Sequence, residues 1–187
     1  MGHWQLSDIP WNRFRKDLVD PDLLQLAKTA SLVEYNSADY ADYLCNVFPG
    51  DRDFQKAARR WAEEEIQHGL ALKEWSQMAD PSFDFDMSLR RFVNSYRVPV
   101  DARESVRGSR ARELVARCVI ESGTNSYYSA LGDASQEPVL KEICRHIASD
   151  EARHFRLFLD HLKRYLSEEK LSVWARLWTA LGRCAEV

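Results

Sequence analysis

Two segments, Glu65-Ile66-Gln67-His68 and Glu151-Ala152-Arg153-His154, share the pattern Glu-x-x-His and decide the fold that we expect for this chain. In an α-helix, residues three apart lie on one face, so each segment presents a carboxylate and an imidazole one turn apart. Chance alone would produce roughly 0.4 such motifs in a chain with these Glu and His frequencies. Two motifs are therefore only suggestive, and their positions on the helices decide what they mean.

Both motifs lie on the apolar faces of their helices. The face of Glu65 and His68 also carries residues at helical spacing, namely Phe54, Ala58, Trp61, Leu72 and Trp75. The face of Glu151 and His154 likewise carries Ile147, Phe158 and Leu162. A 3.6-residue apolar period turns such faces toward the core. Because buried carboxylates are costly unless they are paired or bound to metal, both motifs require partners.

Two further glutamates, Glu34 and Glu121, lie on the apolar faces of the other two long helices. Glu34 and Glu65 are 31 residues apart, centred on the Pro49-Gly50 turn, and Glu121 and Glu151 are 30 residues apart, centred on Gln136. In an antiparallel hairpin, equal distance from the turn means equal height along the helices. Each hairpin therefore brings two Glu and one His to one level, and the two halves form a weak internal repeat.

The helical periods and turn signals predict an all-α chain. We expect helices over residues 21–48, 51–78, 109–131, 138–166 and 171–183. Residues 79–108, which contain Pro81, Pro99 and Gly108, are expected to form a long irregular crossover. The prediction is a single domain over residues 1–187. It consists of a four-helix bundle at about 21–166, built from two antiparallel hairpins, with an extra N-terminal segment and a C-terminal fifth helix.

Composition excludes several classes of protein. The chain has 187 residues, of which 45% are hydrophobic and 29% charged, and this suits one globular domain. A net charge of -3 argues against a general nucleic-acid binder. No stretch reaches the ~18 to 20 apolar residues of a membrane span, and the N-terminus resembles no targeting signal. Four cysteines without a CxxC pair are expected to be reduced thiols in a cytoplasmic protein.

Four Glu and two His from four helices form a ligand set for two iron or manganese ions. The predicted ligands are Glu34, Glu65, His68, Glu121, Glu151 and His154. Carboxylates bridge and neutralise divalent ions, imidazole adds a nitrogen to each ion, and the lack of thiolates disfavours zinc and iron-sulfur sites. The alternative is a set of ion-paired core residues, which would bury four acids beside two bases.

The segments Glu64-Glu65-Ile66-Gln67-His68-Gly69 and Asp150-Glu151-Ala152-Arg153-His154 resemble the two iron-binding motifs of the ferritin-like di-iron carboxylate superfamily. The resemblance spans residues 21–166 and implies a ferritin-like bundle. With Thr124 three residues after Glu121, the motifs look most like those of soluble acyl-carrier-protein desaturases and related oxygenases. The chain is much shorter than those desaturases, and its first hairpin is tighter.

The resemblance also implies roles for residues beside the ligands. Asp150 is similar to the family's residue that bonds to the histidine of the opposite helix, here His68. Thr124 lies near the expected site of O2 and is a candidate for proton delivery, although an ordinary packing role fits it equally well. Gly69 and Gly123, inside helices, suggest close backbone approach or room beside the metals. His3, His146 and His161 match no ligand position.

The leading hypothesis for function is a di-iron oxidoreductase that activates O2 to hydroxylate, desaturate or N-oxygenate a small or carrier-bound organic substrate. The alternative is a ferroxidase or peroxide-scavenging protein of the ferritin or rubrerythrin type. A third class is a binding or scaffold bundle without redox activity. Metal content and particle size separate these three hypotheses.

Partners are suggested by charge and by an apolar face. Eight Arg against three acids between Arg90 and Arg117 give this segment a net charge of +5. It could dock an acidic electron donor or carrier protein, or be a solvated surface. The fifth helix carries an apolar face, Leu171, Trp174, Leu177, Trp178 and Leu181, that we expect to close the bundle. Dimerisation through this face is the alternative.

Overall fold

The computed structural model describes residues 4–184, which form seven α-helices preceded by three short 3-10 helices. The 3-10 helices span Leu6–Asp8, Trp11–Arg13 and Lys16–Leu18. The α-helices are α1 (Pro21–Tyr35), α2 (Ser37–Val47), α3 (Arg52–Ala79), α4 (Phe85–Ser95), α5 (Arg110–Ala134), α6 (Pro138–Glu169) and α7 (Val173–Cys184). Among the described residues, no helix has both the length and the hydropathy that crossing a membrane requires. The prediction of an all-helical chain is confirmed.

The long helices begin where their capping residues predict. The Asp20 carboxylate accepts hydrogen bonds from the backbone N–H groups of Asp22 and Leu23 at 2.8 and 3.1 Å, and Pro21 occupies the first helical position. Asp51 accepts from the N–H of Phe54 at 3.1 Å and caps α3 in the same way. These bonds satisfy N–H groups that have no partner within the helix.

The first predicted helix is interrupted at Asn36, two residues after Glu34, so residues 21–48 form α1 and α2 rather than one helix. Two features accompany the break. Ser37 donates its hydroxyl across the hairpin to the carbonyl of Ala62 on α3 at 3.2 Å. A Cβ added to Gly69 of α3 would lie only 2.7 Å from the Tyr35 backbone nitrogen. The α3 backbone thus approaches the end of α1 as closely as a glycine allows, which confirms the expected close approach at Gly69.

Two helical hairpins make up the bundle. Helices α1 and α2 pack along α3, α5 packs along α6, and α3 contacts α6. The hairpin turns are the short segments 48–51 and 135–137, whereas residues 80–109 connect the hairpins. This connection contains α4, so the prediction that it is irregular throughout was wrong. Asp84 caps α4 through the N–H of Met87, and Phe85 is buried against Tyr35 with ring centroids 5.3 Å apart.

The core consists of two apolar clusters separated by a polar layer. The first cluster contains residues of α3 and α6 such as Phe54 and Phe158, and the second contains others such as Leu72 and Ile143. On both helices, the Glu-x-x-His motif lies between the residues of the two clusters. The N-terminal segment packs on the second cluster through the buried Trp4 and Ile9.

Helix α7 packs on α5 with the side that carries Ala180 and leaves its apolar face in solvent. Trp174, Trp178 and Leu181 are 81%, 78% and 64% exposed. The expectation that this face closes the bundle was therefore wrong. An amphipathic pattern identifies two faces of a helix, but it does not determine which of them packs when small residues such as Ala180 permit close contact.

Candidate metal centre

The structure brings all six predicted ligands together in the polar layer. One group of ligand atoms comes from Glu34, Glu65, His68 and Glu151, and a second comes from Glu65, Glu121, Glu151 and His154. Within each group, the atoms all lie within 4.8 Å of one another. Glu65 and Glu151 belong to both groups. These buried clusters could hold metal ions at two adjacent positions that share two carboxylates.

Both histidines direct Nδ1 toward the carboxylates. Nδ1 of His68 lies 3.4 Å from Oε1 of Glu151 and 3.8 Å from Oε2 of Glu34. Nδ1 of His154 lies 2.8 Å from Oε1 of Glu65 and 3.6 Å from Oε2 of Glu121. Each imidazole therefore adds one nitrogen to one of the two groups, which matches one nitrogen ligand for each ion.

Four inward atoms lack hydrogen bonds to any described residue: Oε1 of Glu65, Nδ1 of His68, Oε1 of Glu151 and Nδ1 of His154. Although Nδ1 of His154 is close to Oε1 of Glu65, the two atoms lack hydrogen-bond geometry. A buried polar atom without a partner costs about 1–3 kcal/mol. A divalent cation bound among these atoms would satisfy all four at once, so the donor set fits a pair of hard or borderline cations.

The outer nitrogen of each histidine contacts an acid on the opposite hairpin. Nε2 of His68 lies 3.1 Å from Oδ2 of Asp150, the contact that the resemblance implied. Nε2 of His154 lies 2.9 Å from Oε2 of Glu64. An acid at Nε2 holds the proton there and leaves the Nδ1 lone pair facing the ligand cluster. Arg153 bridges both acids, with N–O distances of 2.5 Å to Asp150 and 3.2 Å to Glu64.

Sequence reasoning missed the role of Glu64. The signal was the acid that directly precedes each motif glutamate, Glu64 before Glu65 and Asp150 before Glu151. Because the two hairpins repeat each other, a role inferred for Asp150 should have been transferred to Glu64. Trp4, whose position was also not anticipated, donates its indole N–H to Oδ2 of Asp150 at 2.7 Å.

Two hydroxyl groups contact the ligand carboxylates from α5. Thr124 bonds to Oε2 of Glu151, and it also lies 3.1 Å from the Ile120 carbonyl, so the structure places it at the cluster while its role in proton delivery stays a prediction. The Tyr128 hydroxyl donates to Oε1 of Glu34. The sequence had indicated Tyr128 only as a core residue, because a phenol ring is apolar except at its tip.

Burial and mutual repulsion make the cluster retain protons. Burial and the charge of Glu151 raise the pKa of Glu65 well above its usual range, and burial raises the pKa of Glu151 to about 7. Burial lowers the pKa of His68, but its proximity to the acids Asp150, Glu151 and Glu34 outweighs burial and raises the pKa overall. The pKa of His154 is raised in the same way, chiefly by Glu121 and Glu64 against the effect of burial. Cations entering the cluster would displace these protons.

A cavity of about 300 Å³ opens onto four carboxylates of the cluster, those of Glu34, Glu65, Glu121 and Glu151. Its other walls include Tyr40, Trp61, Phe92, Tyr96, Arg117 and Thr124. The cavity is near the lower end of the size range of small-molecule sites, and its lining combines four aromatic side chains with several polar and charged ones, among them Arg183. It is a candidate substrate site beside the metal positions.

The other residues that the sequence analysis singled out are three histidines outside the ligand set and Gly123. His146 stacks on Trp4, with ring centroids 5.0 Å apart, and His161 packs edge-on against Phe54, also at 5.0 Å. His3 lies outside the described residues. Nothing lies within 4 Å of a Cβ added at the exposed Gly123, so the expectation of close approach or room beside the metals was wrong there.

No known protein-family model matches the chain, and no curated protein shows significant sequence similarity to it. The site itself therefore supplies the evidence for function. Its chemical content is a buried set of four carboxylates and two imidazoles, four of whose atoms lack hydrogen bonds within the described chain, next to a cavity of ligand size.

Proposed function

We propose that the protein is a ferritin-like di-metal carboxylate oxidoreductase that uses O2 to oxidise an organic substrate. The two ligand groups that share Glu65 and Glu151 support a dinuclear centre. Glu34 with His68 would complete one metal position, and Glu121 with His154 the other. Iron ions bound here would supply the redox chemistry of O2 activation, and the same ligands also suit manganese or a mixed pair.

The chain itself orients the ligands and excludes water. Asp150 and Glu64 fix the two imidazoles through Nε2, and Thr124 and Tyr128 each bond to a ligand carboxylate. The two apolar clusters enclose the polar layer from both sides, so charge at the site is poorly screened by solvent. This arrangement would hold the ligand side chains in orientation among largely apolar surroundings.

The observation that carries the proposal is the aromatic cavity that opens directly onto the ligand carboxylates. Iron oxidation alone needs no such cavity, whereas oxidation of an organic molecule does. In a hydroxylation, a C–H bond and O2 give an alcohol and water, and a reductant provides two electrons and two protons. An electron donor must therefore bind the protein, and the exposed Arg90, Arg91, Arg97 and Arg103 would suit an acidic one.

Anaerobic titration with iron(II), followed by exposure to air, tests this function. We expect about two iron ions per chain, O2 consumption that stops at the bound iron, and renewed consumption only when a reductant is added. Glu65→Gln, which alters a carboxylate of both groups, should bind fewer ions, whereas Glu63→Gln on the exposed face should match the wild type. Continued deposition of iron(III) oxide after repeated additions would support the ferroxidase alternative instead, and failure to bind metal would refute both.

A further inference from the structure

One buried cation in the cavity has no role in the centre described so far. Arg117 on α5 is 4% exposed, lines the cavity, and lies one turn before the ligand Glu121. Its guanidinium makes no hydrogen bond or ion pair with any residue between positions 4 and 184. A guanidinium carries five N–H donors, and buried arginines are ordinarily paired.

Aromatic rings surround Arg117 without satisfying its donors. The guanidinium carbon lies 4.6 Å from the ring centroid of Tyr40, 5.3 Å from that of Trp61 and 5.9 Å from that of Phe158. Cation–π contacts stabilise the charge, by about 2 kcal/mol when desolvated, and they hold the planar group in one orientation. Because these rings contact the guanidinium through its carbon and π face, the N–H groups along its edge remain available to a planar anion.

The nearest acids are already engaged. Burial lowers the pKa of Arg117, but Glu121, Tyr40 and Glu113 outweigh it, so the guanidinium stays charged. Glu113 accepts hydrogen bonds from Tyr43 and Ser105, both at 2.7 Å. Glu121 belongs to the ligand cluster. Two divalent cations would balance the charges of the four cluster glutamates, and Arg117 would then remain as a cation in the cavity that lacks a direct anionic partner.

We propose that the cavity binds a small organic carboxylate whose anionic group pairs with Arg117. The inference rests on the proposed function and specifies its substrate class. A carboxylate is planar like the guanidinium of Arg117, and its single negative charge balances the single positive charge of the arginine. A phosphate dianion would need more hydrogen-bond donors. Arg117 and Glu121 are one helical turn, about 6 Å, apart along α5, so a carboxylate held at Arg117 has its neighbouring carbons beside the metal ligands. Trp61, Phe92 and Tyr96 would contact those carbons.

Binding of a matched ligand pair tests this proposal without requiring turnover. The probes are 4-fluorobenzoate and its neutral isostere 4-fluorobenzamide, observed by fluorine NMR on protein whose zinc content has first been measured. Zinc is diamagnetic and redox-inert. We expect wild-type protein to bind the benzoate at least about tenfold more tightly than the benzamide, as a hydrogen-bonded charge pair implies. Arg117→Met should abolish the preference, and Arg117→Lys should keep part of it.

Arg110→Met is the matched control, because Arg110 lies two turns earlier on α5, outside the cavity, and bonds to the Val47 carbonyl. It removes the same charge and should retain the preference. Equal binding of the two probes to wild-type protein would overturn the proposal. So would a preference that survives in Arg117→Met, because the benzoate would then be binding to the metals or to Arg183, which also lines the cavity. Should Arg117→Met fail to fold, the wild-type and Arg117→Lys comparisons still decide the question.

Failure of this inference is distinguishable from failure of the proposed function. If neither zinc nor iron(II) binds, the dinuclear proposal fails, and the same probe pair is then measured on the metal-free protein. A charge preference that depends on Arg117 would still identify the anion site there. If zinc binds at two ions per chain but the charge preference is missing, the metal centre stands, and Arg117 serves only to offset the carboxylate charge.

Discussion

At the scale of single residues, the acids beside the two motifs do as much to define the centre as the ligands. Glu64 contacts Nε2 of His154, and its other bonds, to Arg153 and Arg60, fix its position. Removing the charge of such an outer partner weakens the basicity and orientation of the ligating imidazole. The carboxylate of Glu64 should therefore influence metal affinity without touching a metal.

Glu64→Gln should lower metal affinity about 10- to 100-fold while leaving the fold intact. Glutamine keeps the size and one oxygen of the side chain but loses its charge. A competition titration of manganese(II) against a chelating dye measures the change. Glu63→Gln is the control, since it removes the same charge from the neighbouring exposed position. Equal affinities of the two variants would show that Glu64 does not support His154.

The ligand residues could be predicted because the relevant signals are short-range. Helical spacing fixes which side chains share a face, and distance from a turn fixes their height. The bond from Tyr128 to Glu34 and the cavity position of Arg117 could not be predicted in this way. Both depend on the rotation of α5 relative to its neighbours, which is a property of packing that helical period alone leaves open.

At the scale of helices, capping residues predicted where most helices begin, whereas the break after Glu34 and the helix α4 were missed. The break coincides with the contact between α1 and α3 at Gly69, which joins residues far apart in the sequence. Helix α4 is short and lies between Pro81 and Pro99, and these two prolines favoured the prediction of an irregular segment there. Its stability comes from burying Phe85, again a tertiary contact.

Gly69→Ala should destabilise the protein by about 1–3 kcal/mol, because the new methyl group would meet backbone atoms of Tyr35 that cannot rotate away. Gly123→Ala is the matched substitution at an exposed, open helical position, and it should stabilise by about 0.5–1 kcal/mol. Urea unfolding of both variants measures the two changes. Similar effects of the same sign would mean that the close approach at Gly69 is unimportant for stability.

At the scale of the whole molecule, the carboxylate cluster couples folding to protons and to metal. The polar layer lies between two apolar clusters, so water screens the repulsion between its carboxylates only weakly. Without a cation, the fold relieves this repulsion by binding protons, as the raised pKa values of Glu65, Glu151, His68 and His154 indicate. Protons and metal ions therefore compete for one buried site.

The direction of the pH dependence follows from those shifts. Glu151 has a pKa of about 7 in the metal-free fold, above its ordinary value of 4.5, so the folded state holds a proton that the unfolded chain has lost. The stability of the metal-free protein therefore falls as pH rises from 4.5 to about 7. The raised imidazole pKa values of His68 and His154 act in the same direction, because their contribution is lost as pH rises through the folded value. The lowered pKa of Glu34, about 2 against an ordinary 4.5, acts at lower pH, where its contribution to stability is lost as pH falls from 4.5 toward 2.

The difference in unfolding free energy between manganese-loaded and metal-free protein should thus widen from pH 6 to pH 8. Each displaced proton contributes about 1.4 kcal/mol per pH unit to this difference. Urea unfolding at fixed free manganese(II) across this range measures the slope. Glu151→Gln removes one of the competing groups and should reduce both the difference and its slope. A difference that stays constant or narrows with rising pH would mean that the buried cluster gives up no protons to the metal. If manganese gives no difference at any pH, the cluster is an ion-paired core instead.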